Sequence, residues 1–179
     1  VEYHDHTSTT IHVRFPVETA SQPVLAGASV LIWTTTPWTI PGNRAVAYGE
    51  DIDYAVVEVT QVAEDSLAVA GETVVLAAAL SQAVFAEVGI TAAKTIATVP
   101  GSALAGTICR HPLNANGYDF EVPLLPGDHV TVEQGTGFVH TAPGHGAEDF
   151  EVGRAHGLEV PRTVGDGGLF YDHVPLFAG

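Results

Sequence analysis

The sequence contains very little positive charge. Six Lys and Arg residues stand against 21 Asp and Glu residues in a chain of 179, which gives a formal net charge of −15. The only lysine is Lys94. Binding to a nucleic-acid backbone requires clustered cations that displace counterions, so the composition argues against such binding by this chain alone. A charge of this size favours solubility and self-repulsion instead.

Cysteine, methionine and long apolar runs are also scarce. Cys109 is the single cysteine, which excludes a disulfide framework or a cysteine-rich zinc site and predicts a reducing, cytoplasmic location. No apolar run approaches the roughly 20 residues that span a bilayer, so we expect no membrane partner. The chain has no methionine and begins with Val1. We therefore expect one domain, residues 1–179, cut from a larger protein.

The hydrophobic pattern predicts mainly strands. Thr10–Glu18 alternates apolar and polar residues with the period of a half-buried strand, and Ser29–Trp33 is a nearly continuous apolar run. Several short strands and few helices predict an α+β, β-rich fold with a strongly curved or closed β-barrel core and a few peripheral helices. Further strands are predicted at Asp53–Thr60, Glu72–Leu76, Phe120–Leu125, His129–Glu133 and Gly137–Thr141, helices at Ala77–Glu87 and Ala147–His156, and a polar lead-in at His4–Thr10.

The first unusual segment is Trp33–Asn43, WTTTPWTIPGN. Pro37 cannot donate to a strand ladder and marks the end of a strand. By strand alternation Thr34 and Thr36 share one face and Thr35 lies on the other, so paired hydroxyls stand beside a strand terminus. Threonine is also a good strand former, and the triplet alone is typical of an ordinary strand.

The second unusual segment is Gly135–Phe150, GTGFVHTAPGHGAEDF. A predicted strand carries His140, a Pro-Gly loop contains His145, and a helix begins near Gly146 with Asp149 in its first turn. Backbone N–H groups at a helix start, a carboxylate and imidazoles would together form a small polar cup. Taken singly, Asp149 is typical of an acid that complements the helix dipole, and His140 of a hydrogen-bonded strand end.

Other chemistries fit the sequence less well. His140, His145, Asp149 and His156 lie close in sequence, but no HExxH pattern is present, so we expect no metal site. No G-x-S-x-G elbow is present either, and Cys109 is more typical of a structural cysteine than of a nucleophile.

Together the two segments resemble the inserted editing (CP1) domain of isoleucyl-tRNA synthetase, of the bacterial type. The valyl and leucyl enzymes have Arg-Pro where this chain has Pro37-Trp38, and they depart from the HTAPGHG run. The resemblance extends over the whole chain, including the Val1–Thr7 lead-in. The His-Ile-Gly-His-like and Lys-Met-Ser-Lys-Ser signatures of the synthetic site are absent. The resemblance therefore implies the class I synthetase editing-domain fold without the aminoacylating core.

The resemblance also implies a proofreading hydrolase. Valine lacks one methylene of isoleucine, which a pocket can distinguish by only about 1–3 kcal/mol, and isoleucyl enzymes are the usual illustration of a second, editing site. The implied substrates are Val-tRNA(Ile) and valyl-adenylate. The implied partners are the acceptor end of tRNA(Ile) and the remaining synthetase chain, and we expect a monomer without a cofactor.

Site residues follow from matching this sequence to the family pattern. Asp149 would bind the α-ammonium, and His140 would separate valine from isoleucine sterically rather than move a proton. No single residue is identified as a general base. The residues matched as catalytic are Thr34, Thr35, Thr36 and Asp149, and those matched as substrate-binding are Trp38, Thr39, Asn43, Gly137, Phe138, His140 and His145.

Three alternatives remain open at this point. A binding-only fragment would recognise the valyl group but need the full enzyme for hydrolysis. A metal-dependent hydrolase would contain stoichiometric zinc and lose activity with a chelator. A structural interaction module would have no small-molecule pocket.

Overall fold

The computed structural model describes residues 7–179, and strands dominate that part of the chain. The polar lead-in predicted at His4–Thr10 and the family-like segment Val1–Thr7 both begin outside the described residues. The described part of these segments, residues 7–10, forms no regular element. The strands are β1 (Ile11–Thr19), β2 (Ser29–Thr34), β3 (Ala45–Tyr48), β4 (Asp53–Val62), β5 (Thr73–Ala77), β6 (Ile90–Pro100), β7 (Ile108–Arg110), β8 (Glu121–Pro126) and β9 (Phe138–Thr141), and the α-helices are α1 (Ser81–Val88) and α2 (Ala147–Ala155).

The strands form one sheet in the order β6-β4-β5-β2-β1-β7-β8-β3-β9. Neighbouring strands are antiparallel apart from two parallel pairs, β2 with β5 and β3 with β8. β1 lies against β2 with Ile11 opposite Thr34. β3 lies against β9 with Val46 opposite His140. The first unusual segment, Trp33–Asn43, therefore begins at the end of β2, and the second, Gly135–Phe150, contains the whole of β9.

The sheet is curved but open, so the closed β-barrel that the sequence suggested is not formed. Among the described residues β6 and β9 are the two ends of the strand order. Thr136, just before β9, donates its hydroxyl to the Leu31 carbonyl of β2 (2.6 Å) and accepts the Ala77 amide at the end of β5 (2.8 Å). These hydrogen bonds bring β9 back towards β2. No ladder extends them, because the four residues of β9 pair with β3 instead.

Six of the seven predicted strands are confirmed to within two residues at each end. The strand predicted at His129–Glu133 is wrong, since these residues form turns and bends. Val130 and Val132 would share one face of a strand, yet Val130 is buried and Val132 is exposed. The sequence did not predict β3, β6 or β7: β3 is wholly buried and lacks alternation, β6 is rich in alanine, and β7 has three residues.

Both predicted helices form. Residues 78–80 of the first form a 3₁₀ turn, and α1 then ends at Val88, before Gly89 in the left-handed conformation (φ 73°). In α2, Asp149 lies in the first turn and Arg154 in the last, the charge order that complements the helix dipole. Within residues 7–179 no helix is long and apolar enough to cross a membrane.

The buried side chains make one continuous core under the curved sheet. Phe15 and Tyr54 are fully buried in it, and burying a large apolar side chain stabilises the fold by about 1.5–3 kcal/mol. The Tyr54 hydroxyl accepts the Gly49 amide (2.9 Å) and donates to the Gly137 carbonyl (2.6 Å). This side chain therefore ties β4 to the start of β9, which carries His140.

We expect Gly101→Ala to destabilise the fold. The Gly101 amide donates to the Ile52 carbonyl (2.8 Å), and a Cβ at Gly101 would overlap the Gly49 carbonyl oxygen, which is backbone and cannot turn away. Overpacking of this kind costs roughly 1–3 kcal/mol of unfolding free energy, measurable by urea titration. The matched control is Gly167→Ala, whose Cβ meets open space; equal losses in the two variants would contradict the interpretation.

Candidate active site

The threonine segment turns away from the sheet at the end of β2. Pro37 begins a 3₁₀ helix, Pro37–Gly42, directly after the threonines. The Thr34 hydroxyl accepts the Thr36 amide (3.0 Å) and lies 3.2 Å from the Thr36 hydroxyl. Thr34 and Thr36 therefore share a face, as the strand alternation predicts, and their hydroxyls are held together by local hydrogen bonds.

The second segment folds back over the first through the turn between β9 and α2. Asp149, in the first turn of α2, accepts the Ala142 amide on Oδ2 at 2.8 Å. This bond closes the turn and fixes the orientation of the carboxylate. The carboxylate is half-buried, and burial raises its pKa, while the Ala142 amide and nearby His129 and His145 act in the opposite direction.

The two segments line one cavity of about 220 Å³. It is smaller than the roughly 300–1,000 Å³ of pockets that hold drug-sized ligands, so it suits a small group such as an amino-acid side chain. Of the residues predicted for the site, Thr34, Thr35, Thr36, Thr39, His140, His145 and Asp149 line this cavity, together with Trp33, Val139 and Ala142.

His140 is held from both sides by the threonine segment. The Asn43 Nδ2 group donates to His140 Nδ1 (2.9 Å), and His140 Nε2 lies 2.8 Å from the Thr39 hydroxyl. Since Nδ1 accepts, the ring proton is on Nε2 and is donated to Thr39, whose own hydroxyl donates to the Thr36 carbonyl (2.9 Å). A continuous chain of hydrogen bonds therefore runs from Asn43 through His140 to the backbone of the threonine triplet.

Burial keeps the His140 ring neutral. Burial, with a smaller effect from the neighbouring imidazoles of His111 and His145, lowers the His140 pKa to about 4. Both ring nitrogens are also occupied by protein partners. The side chain is therefore built to hold a fixed shape at neutral pH and is poorly suited to exchange protons.

Trp38 packs against His145, which lines the cavity. The two rings meet edge to face with centroids 5.4 Å apart, and Trp38 is half exposed without lining the cavity itself. His145 Nε2 lies 2.7 Å from the Thr163 hydroxyl, and burial lowers the His145 pKa. Thr163 is buried and had no sequence signal, because it lies 18 residues beyond its partner in a segment without a recognisable motif.

Gly137 and Phe138 do not reach the cavity, although both were matched as substrate-binding. The Phe138 ring packs on Tyr54 with centroids 4.5 Å apart. Gly137 has φ +80°, and a Cβ there would overlap that of Ala77. Both belong to the packing that places β9. Asn43 is also fully buried and acts on the cavity through His140.

In the part of the chain that the structure describes, two other chemistries lack the residues that they would need. Within residues 7–179 no group of three or more His, Cys, Asp or Glu side chains is placed to hold a metal ion. Cys109 is buried in the core, and burial raises the pKa of its thiol to about 12. The thiolate that a nucleophilic cysteine requires is therefore not formed near neutral pH.

Solved structures resemble this fold. The crystal structure of GlLeuRS-CP1 matches with a TM-score of 0.62 over 85% of this chain and 66% of that chain, at 16% identity. The P. knowlesi cytosolic leucyl-tRNA synthetase editing domain matches with a TM-score of 0.59 over 84% of this chain and 65% of that chain, at 11% identity. The fold is thus that of a class I aminoacyl-tRNA synthetase editing domain, β-rich and α+β.

Sequence relatives make the assignment narrower, although no family model matches the chain. The isoleucine–tRNA ligases of Gluconobacter oxydans, Bradyrhizobium diazoefficiens and Caulobacter vibrioides are 49%, 47% and 48% identical over 181, 190 and 186 residues. The chain belongs to the isoleucine–tRNA ligase family, which confirms the resemblance inferred from the two segments. Each alignment covers 100% of this chain and 19% of the relative, so the chain spans about a fifth of the length of these proteins.

The lowered pKa of His140 predicts how the stability of the fold depends on pH in acid. A folded-state pKa of about 4, against about 6.5 in the unfolded chain, means that the unfolded state binds more protons between these values. The contribution of the neutral His140 ring to the free energy of unfolding is therefore fully present above pH 6.5 and is lost as the pH falls towards 4. We expect His140→Gln to reduce the slope of unfolding free energy between pH 5 and 6 by about 1.4 kcal/mol per pH unit, measured by urea titration. An unchanged slope would show that His140 titrates normally in the folded state.

Proposed function

We propose that this chain, residues 1–179, is a proofreading hydrolase domain of an isoleucyl-tRNA synthetase that deacylates Val-tRNA(Ile) and also hydrolyses valyl-adenylate. The observation that carries the proposal is the cavity in which the Asp149 carboxylate and the Thr34–Thr36 hydroxyls meet. These groups come from segments about a hundred residues apart. Their convergence supplies an anion and several neutral polar groups within a space suited to one small amino acid.

Asp149 is the proposed anchor for the α-ammonium of the aminoacyl group. A unit-charge pair at about 4 Å in a medium of effective dielectric 20 is worth about 4 kcal/mol before desolvation. The Ala142 amide already holds one carboxylate oxygen, so the group needs little reorganisation to receive a cation. Burial also raises the Asp149 pKa, which favours binding of a cation because the cation relieves the cost of the buried charge.

The threonine triplet is proposed to bind the ester carbonyl, the ribose or the attacking water. Hydroxyl donors that are fixed before reaction stabilise a developing oxyanion at little reorganisation cost. The Thr34–Thr36 contact and the Thr39 bond to the Thr36 carbonyl provide such fixation. An activated ester needs only a well-placed water, and a ribose hydroxyl of the substrate moves the proton. This assignment agrees with a His140 whose two nitrogens are both engaged.

His140 is proposed as the wall that admits valine and excludes isoleucine. Steric exclusion requires a wall that cannot retreat when a larger side chain presses against it. His140 is held by Asn43 on one nitrogen and Thr39 on the other, and only 8% of it is exposed. Discrimination against an added methylene rests on this rigidity, because protein interiors resist compression.

The negative net charge of this chain opposes binding of the tRNA backbone to its surface. A formal charge of −15 repels a phosphate backbone. We therefore propose that the remaining synthetase chain binds most of the tRNA and that this domain, a cytoplasmic monomer when isolated, receives only the acceptor end. The isolated chain accordingly binds tRNA weakly.

The substitution Asp149→Asn tests whether this chain hydrolyses Val-tRNA(Ile) through Asp149 or only binds the valyl group. The amide keeps an acceptor for the Ala142 N–H but removes the charge that holds the ammonium, so we expect kcat/KM for Val-tRNA(Ile) to fall by about 100-fold or more. The matched control is Glu151→Gln in the same helix, an exposed acid paired with Arg154, which leaves the rate unchanged. If the wild-type chain also deacylates Val-tRNA(Ile) only at the background rate, the chain is a fragment that binds without hydrolysing. If the wild type and Asp149→Asn hydrolyse Val-tRNA(Ile) at equal rates above background, Asp149 has no role in the mechanism.

His140→Ala should widen the cavity. Truncation of the wall makes room for the extra methylene, so correctly charged Ile-tRNA(Ile) becomes a substrate while Val-tRNA(Ile) is still hydrolysed. Deacylation of the two charged tRNAs by the same preparation measures the change. His156→Ala, at an exposed position just after α2, is the control. If the His140 variant spares Ile-tRNA(Ile) completely, the wall lies elsewhere.

A further inference from the structure

A second buried histidine, His111, lies behind the cavity and is not one of its lining residues. It follows β7, and only 1% of it is exposed. Its Nδ1 accepts the Leu113 amide (3.1 Å), so its proton is on Nε2, which donates to the Ile40 carbonyl (3.0 Å). The ring stacks on Tyr118 with centroids 4.7 Å apart and 15° between planes. A buried imidazole is costly unless it is partnered, and here every polar atom has a partner.

The Ile40 carbonyl accepts hydrogen bonds both from His111 and from the segment that supports His140. Ile40 lies inside the 3₁₀ helix Pro37–Gly42, and its carbonyl also accepts the Asn43 amide (3.0 Å). Thr39 precedes Ile40 directly. Thr39 and Asn43 are the two side chains that hold His140. One carbonyl therefore connects His111 to both supports of the proposed wall.

We propose that His111 is a positioning residue for selectivity: its Nε2–H holds the Ile40 carbonyl, and thereby sets the places of Thr39 and Asn43 and the orientation of His140. The step from His140 orientation to amino-acid selectivity rests on the proposed function. The step from His111 to His140 orientation does not, because it depends only on hydrogen bonds within the described fold.

The surroundings of His111 favour this role over simple core filling. Phe15, Tyr118 and Phe120 surround the ring, with Phe15 edge to face at 6.1 Å. A phenylalanine would pack against these rings at a lower desolvation cost, but it could not hold the Ile40 carbonyl. Burial lowers the His111 pKa to about 4, so the ring stays neutral and its Nε2 proton stays available as a donor near pH 7.

The test compares variants of the chain that remove the donor with a variant that restores it. His111→Phe keeps an aromatic ring against Tyr118 and loses both hydrogen bonds. His111→Gln places an amide N–H at a similar reach. The matched control is Thr107→Val, just before the same strand. It also removes two hydrogen bonds, both partly buried: the Thr107 hydroxyl donates to the Ser21 hydroxyl (2.8 Å) and accepts the Ser21 amide (3.3 Å). Neither bond touches Ile40.

Two readouts are measured at neutral pH. The first is the tautomer of His140, read from its imidazole ¹⁵N shifts. The second is the ratio of kcat/KM for Val-tRNA(Ile) to that for Ile-tRNA(Ile). We expect the wild-type chain to show the Nε2–H tautomer, and His111→Phe to show mixed tautomers and a ratio lowered about fivefold or more. His111→Gln should restore both, and Thr107→Val should change neither.

Two outcomes would overturn the proposal. One is a His111→Phe chain that is folded and keeps the wild-type tautomer of His140. The other is a Thr107→Val chain that alters both readouts as much as His111→Phe, which would show only a general loss of stability. If His111→Phe does not fold, His111→Asn replaces it, because asparagine is too short to reach Ile40. A wild-type chain that hydrolyses neither charged tRNA would contradict the proposed function, while the tautomer readout would still decide the role of His111.

Discussion

The candidate site depends on the hydrogen bonds that join His140 to the segment following β2. Asn43 donates to one ring nitrogen, and the other donates to Thr39, which in turn holds the Thr36 carbonyl. The Asn43 Nδ2 group can only donate and the Thr36 carbonyl can only accept, so these two ends determine the donor and acceptor roles of His140 and Thr39 between them. Among the described residues one buried atom of this network, Asn43 Oδ1, has no hydrogen-bond partner. A buried polar network is costly when one of its members is lost. The shape of the cavity follows from that constraint.

The electrostatics of the cavity follow from its burial. Burial lowers the pKa values of His140 and His145 and raises that of Asp149. The imidazoles are therefore neutral near pH 7. No lysine or arginine is among the residues that line the cavity, so none of the lining side chains offers Asp149 a positive charge. An ammonium group entering the cavity meets one acid without a competing protein cation. Under the proposed function, this difference in charge is the source of selectivity for an aminoacyl group over an uncharged analogue.

The sequence predicted most of the residues that line the cavity, but not the contacts that hold them in place. The spacing of Thr34 and Thr36 and the helix start before Asp149 are local patterns, and the structure brings them to one cavity. His111 and Thr163 act across 71 and 18 residues respectively, and no local pattern encodes such contacts. Sheet closure was mispredicted for a similar reason, since whether β9 pairs with β3 alone depends on long-range register. Gly137 and Phe138 were matched as substrate-binding from the family pattern, whereas Phe138 packs on Tyr54 in the core and Gly137 lies against Ala77.

The large negative charge is compatible with a tRNA-directed role because electrostatic repulsion is short-ranged in salt. At physiological ionic strength the Debye length is about 8 Å, so acids on distant faces of the domain have little effect on a ligand at the cavity mouth. In the proposed function, Asp149 attracts the ammonium at the tip of the acceptor end, while the exposed surface disfavours nonproductive binding of phosphates elsewhere. Under the proposed function, delivery of the tRNA therefore depends on a binding surface in the remaining synthetase chain.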